Sequence, residues 1–182
     1  MTRDDQIQRL LIKAWQLRGQ GNYEASKNIL QEAQLLCKDD EHNYLGRIDH
    51  IKMQHQYDGH NYLEAIKFCK KAIAHYTTAK NSNKIAHSTR HLADIQTKLN
   101  QLDKASINYL YALKIYNKHP KTHPGDLANA LRGYALLLEK TGKQDEALLN
   151  WKSVLELYTQ LGIQEGVDEA KFKILHLSGT NN

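Results

Sequence analysis

The chain has 182 residues and a formal net charge of +5, long enough for one domain with a substantial buried core. It contains no run of 18 apolar residues, which excludes a membrane-spanning helix. Its opening MTRDDQIQRL carries acids where a secretory signal needs basic and then apolar residues, so the expected location is cytoplasmic.

Ala, Leu, Lys, Gln and Glu dominate and lose little side-chain freedom in a helix, while prolines and glycines are few, so the fold class expected is all-α. Apolar periodicity predicts helices near 4–18, 22–37, 43–57, 62–79, 84–98, 102–117, 126–140, 144–160 and 165–177. Polar stretches at 80–83 and 118–125 read as loops, with Pro124 helping to start the helix that follows. Cys37 and Cys69 stand far apart, each in an apolar helical stripe, and read as small hydrophobes.

Four segments echo one another: GNYEASKNILQEA, HNYLEAIKFCKKA, NQLDKASINYLYA and GKQDEALLNWKSV. They align a column of small residues, Ser26, Ala65, Ala105 and Ala147, spaced by 39, 40 and 42 residues. Seven residues on stand Ala33, Ala72, Ala112 and Val154, and four after the first column stand Leu30, Cys69, Tyr109 and Trp151. The preceding stretches place Ala14, Ala93 and Ala135 at a matching offset; Met53 holds that place in the second unit, where an extra residue around DGHNY is suspected. Small residues at these points let antiparallel helices approach closely. Gly21, His60-Asn61, Asn100 and Gly142 mark the turns between helices. A fixed period of this size signals a solenoid.

The pattern resembles the tetratricopeptide repeat (TPR) family, whose A-x3-aromatic element stands as Ala105…Tyr109 and Ala147…Trp151, with Tyr23 and Tyr62 in its turn segment. The family's closing proline is absent and the period exceeds the usual 34. HPGDLANALRGYALLLEKTGKQDEAL looks like the longer-period branch typified by kinesin light chains. The resemblance implies a right-handed superhelical solenoid of antiparallel helix pairs in a single domain, 1–182. Its repeats would lie at approximately 4–40, 41–80, 83–118 and 125–161, with a capping helix at 164–178. That last helix, with Val167, Ala170, Ile174 and Leu175, either caps the core or pairs with a second copy in a homo-oligomer.

In this family the first helix of each pair forms a concave inner wall. The residues expected to face it are Trp15, Arg18, Arg47, His50, His87, Arg90, His91, Asp94, Asn129, Arg132 and Leu136. Trp15 reads equally as a groove anchor or as packing against the next helix. Arg90 and Arg132 are equivalent positions, each with a hydrogen-bonding residue (His87, Asn129) three before it. A guanidinium grips a carboxylate in a planar, bidentate fashion.

His87, His91 and Asp94 share one helix face and are acceptable zinc ligands. Yet HxxxH without an internal glutamate is a weak motif, and Arg90 between them opposes a cation. A polar groove lining is the better reading, with no metal and no cofactor expected. No phosphate-loop, dinucleotide-binding, HExxH or GxSxG motif is present, so no enzymatic activity is expected. The function expected is an adaptor that holds a protein or peptide segment with acidic or carboxylate features. Residues 65–98 carry seven basic residues against Asp94 alone, so RNA binding is an alternative; a peptide-sensing regulatory domain is another. The three lysines of 67–71 sit on a second helix, away from Arg90, which makes nucleic acid the weaker alternative.

Overall fold

The computed structural model describes residues 2–119 and 121–179. Among them are nine α-helices and no strand: α1 (Arg3–Gly19), α2 (Tyr23–Leu36), α3 (His42–Asp58), α4 (Tyr62–Thr78), α5 (Ser82–Lys98), α6 (Leu102–Lys118), α7 (Pro124–Lys140), α8 (Gln144–Leu161) and α9 (Gln164–Gly179). Among the described residues no helix is long and apolar enough to cross a membrane. Two compact units are present, Met1–Ser88 and Thr89–Asn182, with the boundary inside α5.

The aligned columns are the packing seams. Ser26, Ala65, Ala105 and Ala147 are all fully buried, as are Ala33, Ala72, Ala112 and Val154. Ala14, Ala93 and Ala135 are buried as completely, and Met53 nearly so. Within each pair the corner has three residues: 20–22, 59–61, 99–101 and 141–143. The extra residue suspected around DGHNY is therefore not in the corner, and Met53 keeps the register of its counterparts.

The corners share one main-chain device. In the first, the Gly21 N–H donates to Arg18 O and the Asn22 N–H to Leu17 O; the second, third and fourth repeat this at His60/Asn61, Asn100/Gln101 and Gly142/Lys143. The links after α4 and α8 repeat it at Lys80/Asn81 and Gly162/Ile163. This is the Schellman closure, which satisfies the last carbonyls of a helix and needs one left-handed residue. Those residues are Gly21, His60, Lys80, Asn100, Gly142 and Gly162, with φ between 53° and 76°. Of the anticipated pair His60-Asn61, the left-handed residue is His60; Asn61 instead precedes α4 at φ −84°.

In the first unit, Ile7, Leu11, Ala14, Leu30, Ala33, Ile48 and Ile51 make one apolar core from α1, α2 and α3. Ser26 adds a polar joint, its hydroxyl donating to Ala14 O at 2.6 Å while His55 Nε2 lies 2.8 Å away. α1 starts with a capping box between Thr2 and Asp5.

In the second unit, α6 packs on the C-terminal half of α5, α7 on α6, α8 on α7 and α9 on α8. His123 accepts from the Gly125 N–H and Pro124 occupies the first turn, so this loop does organise the start of α7. Trp151 is fully buried and donates to Glu139 Oε1 at 2.7 Å. Along α9, Val167, Ala170 and Leu177 are buried, whereas Phe172 and Leu175 are exposed.

A tyrosine-on-glycine contact recurs that the repeat columns did not suggest. The rings of Tyr76, Tyr109 and Tyr158 lie against Gly46, Gly133 and Gly166, so close that a Cβ at any of the three would fall within 2.7 Å of a ring atom. Each second-helix tyrosine thus occupies a slot that only a glycine on the facing helix leaves open.

Candidate functional site

In the first unit, α1 and α3 present a cleft of about 460 Å³ lined by Gln8, Leu11, Ile12, Asn43, Tyr44, Arg47, Tyr76, Asn81 and Lys84. The amphipathic pattern of α1 buries Ile7, Leu11 and Ala14 and leaves the next stripe outward. Ile12 is therefore 55% exposed and Trp15 46%, a pair of large apolar side chains one turn apart on the surface. Asn81 and Asn43 are joined across the cleft by a 2.8 Å hydrogen bond.

Arg47 distinguishes this cleft. It is half-buried on α3, and among the described residues it makes no hydrogen bond and no ion pair. Burial, aided by the nearby charge of Arg18, presses its pKa below the ordinary guanidinium value, with Tyr76 opposing. A cation desolvated without a counter-charge gains from an incoming anion.

The other arginines expected to face a ligand are already engaged. Arg18 forks onto Asp58 with hydrogen bonds of 2.7 and 2.8 Å. Arg132 forks onto Glu169 at 2.5 and 2.7 Å, which raises its pKa. Arg90 Nη1 donates to Asp94 Oδ2 at 2.7 Å and its fork also lies against the His91 ring. The equivalence of Arg90 and Arg132 in the repeat is real, but their carboxylates come from the chain itself. Of the hydrogen-bonding partners named for them, Asn129 accepts from the Tyr158 hydroxyl at 2.8 Å. Leu136 is half-buried on α7.

Asp94 accepts at both oxygens, Oδ1 taking the Tyr109 hydroxyl at 2.6 Å and Oδ2 taking Arg90. Burial first, and the Asp94 carboxylate after it, push the Tyr109 hydroxyl far above the normal phenol range. Any ion at His87, His91 and Asp94 would have to share the carboxylate with Arg90 and Tyr109. In the first unit His50 is buried, with Nδ1 3.1 Å from Ser88 Oγ and its ring 4.9 Å from that of His87. It is part of the packing around Ser88.

Two serine–histidine contacts resemble parts of a hydrolase. Ser26, beside His55, is fully buried and its proton is committed to Ala14 O. Ser88, beside His50, is also fully buried. Neither hydroxyl meets a substrate-accessible surface. On α4, Lys67, Lys70 and Lys71 are exposed; Lys67 pairs with Glu64 at 2.7 Å and Lys71 lies over the Phe68 ring.

No family model matches the sequence and no curated protein matches it. Solved structures do. BtubC (BKLC) from P. vanneervenii superposes with a TM-score of 0.72 at 13% identity, over 97% of this chain and 81% of its own. A putative kinesin light chain of Podosopora anserina with nearly identical TPR-like repeats matches in two crystal structures. One gives a TM-score of 0.72 at 13% identity over 100% of this chain and 89% of that one. The other gives 0.67 at 12%, over 100% and 99%. Columns of buried small residues, three-residue corners and these superpositions converge on one architecture: the chain has the all-α, TPR-like helical-repeat fold.

Proposed function

We propose that this chain is a non-enzymatic protein-interaction module that holds a short segment of a partner protein against its first helices. The observation that carries the reading is Arg47, a desolvated guanidinium with no counter-ion among the described residues, set in a cleft that exposed Ile12 also lines, with exposed Trp15 one turn further along α1. The ligand that fits is an extended peptide with a carboxylate for Arg47 and an apolar side chain one or two residues away for the Ile12–Trp15 stripe. Asn43, Asn81 and Gln8 supply amides for the peptide backbone. Arg18, Arg90 and Arg132 serve the scaffold first, since a ligand would have to displace Asp58, Asp94 or Glu169 to reach them.

The test is selection of peptides from a random library on the whole chain, followed by calorimetry on variants. Selected peptides should be enriched in Asp or Glu next to a hydrophobic residue. Arg47→Ala should weaken them at least tenfold, and Arg47→Lys should restore little, because an ammonium cannot make the bidentate contact. Undiminished affinity in Arg47→Ala would remove this reading. Weakening confined to the double variant Arg90→Ala/Arg132→Ala would move the ligand to the second unit.

A further inference from the structure

His42 opens α3 and His75 lies in the last turn of α4, and the antiparallel pairing of these helices brings them face to face. Their Nδ1 atoms are 3.1 Å apart and their ring centroids 5.4 Å apart. Two imidazoles on one tetrahedral ion with metal–nitrogen bonds of 2.0–2.1 Å place the nitrogens about 3.4 Å and the ring centres about 5.2 Å apart. The observed spacing is close to both values. On the far side of His75, Asp49 Oδ2 stands 3.6 Å from Nε2. Asp49 is only 9% exposed, and His75 is the one polar group the described chain sets against its carboxylate at ion-pair distance.

We propose that His42 and His75 form a binding site for a borderline transition-metal ion such as Zn²⁺ or Cu²⁺, with Asp49 orienting His75. One tautomer of each ring permits this use. An N–H at Nε2 of His75, facing Asp49, leaves Nδ1 as a bare lone pair. His42 then supplies the proton of the Nδ1···Nδ1 contact, and moving it to its own Nε2 frees a second lone pair. The ion takes the place of that one proton, with no net ionisation of the pair. Lys52 and Lys71 act on Asp49 as positive neighbours, which disfavours hard ions held by charge alone and favours nitrogen-preferring metals. His42 also borders a cleft of about 430 Å³, together with Asp40, Glu41, Asn43, Tyr44, Thr78 and Ala79. Glu41 is engaged by Arg3 and by the Lys38 N–H, whereas the Asp40 side chain is exposed and has no partner among the described residues. Water or Asp40 completes the coordination.

The experiment uses the whole chain without an affinity tag, stripped with chelator, and titrated with Zn²⁺ by calorimetry and with Cu²⁺ by electron paramagnetic resonance. One high-affinity equivalent with nitrogen coupling is expected. His42→Gln and His75→Gln should each weaken it more than tenfold, Asp49→Asn about tenfold or more, and His60→Gln, at an exposed corner, not at all. Affinity within twofold of wild type in both histidine variants would overturn the proposal. Should either variant fail to fold, ¹⁵N shifts of the wild-type histidine rings decide: substoichiometric Zn²⁺ must move His42 and His75 Nδ1 before any other ring nitrogen, and the proposal fails if other histidines respond first.

Discussion

Gly133→Ala is the substitution in which the packing arithmetic is most exposed. Gly133 is buried in the middle of α7, and a Cβ there would lie 2.7 Å from Tyr109 Cε1, 2.8 Å from its Oη and 2.9 Å from Cζ. Ordinary carbon contacts sit at about 3.5–4.0 Å, so roughly 1 Å of relief is needed. The ring cannot easily give way, because it is 2% exposed and its hydroxyl is held at 2.6 Å by Asp94. Overpacking costs about 1–3 kcal/mol and a weakened hydrogen bond to Asp94 about 1–2 kcal/mol. Replacing a mid-helix glycine returns about 1 kcal/mol. The net loss expected is about 2 kcal/mol, or a midpoint about 4–8 °C lower for a chain of this size. Urea and thermal denaturation followed by far-UV circular dichroism measure it. Gly19→Ala is the control: its Cβ meets nothing within 4 Å, so its stability should be unchanged or slightly higher. A Gly133→Ala protein as stable as wild type would refute the claim that the tyrosine is fixed in its slot.

Two further outcomes follow from buried titratable groups. His55 is 7% exposed with a pKa lowered first by burial and then by Arg18, so the folded chain prefers it neutral. The unfolded histidine protonates near pH 6.5, so its contribution is present above about that pH and is lost as pH falls below it. Denaturation midpoints should drop between pH 7.5 and 5.5, and His55→Gln should flatten that drop; an equal drop in the variant would count against it. Cys69 is fully buried with its thiol donating to Ser88 O, whereas Cys37 is half-buried with a pKa raised chiefly by burial. A thiol reagent should modify Cys37 slowly in the native protein and Cys69 only on unfolding, giving two separated phases.

The scaffold was legible because its requirement is steric and periodic. A seam that admits only small side chains writes Ala, Ser or Val at the same offset in every repeat, as at Ala65, Ala105 and Ala147. The corners were legible through glycine and asparagine, although at His60-Asn61 the histidine takes the left-handed position; Lys80 fell in a stretch read as a loop, but lysine does not advertise its left-handed backbone. The tyrosine slots at Gly46, Gly133 and Gly166 escaped notice, since a glycine facing a ring has no local signature. The candidate cleft was legible in part. Arg18, Arg47, Arg90 and Arg132 were all named as facing a ligand, but three of their guanidinium groups lie on carboxylates. Two of those, Asp58 and Glu169, come from 40 and 37 residues away, and sequence patterns carry no record of such pairings. His42 and His75 fell in different helices without a shared motif, and only the packing of α3 on α4 joins them.

The four corners of uniform length have a consequence for how such a chain tolerates change. Their geometry is written in N–H to carbonyl closures around one left-handed residue, so the other residues there are free to vary but not to multiply. The links from one pair to the next differ: 37–41 and 119–123 are longer than 79–81, and 162–163 is shorter. Insertions and deletions are therefore absorbed at the outgoing ends of the hairpins, where a reading frame of helices can lengthen without disturbing any pair.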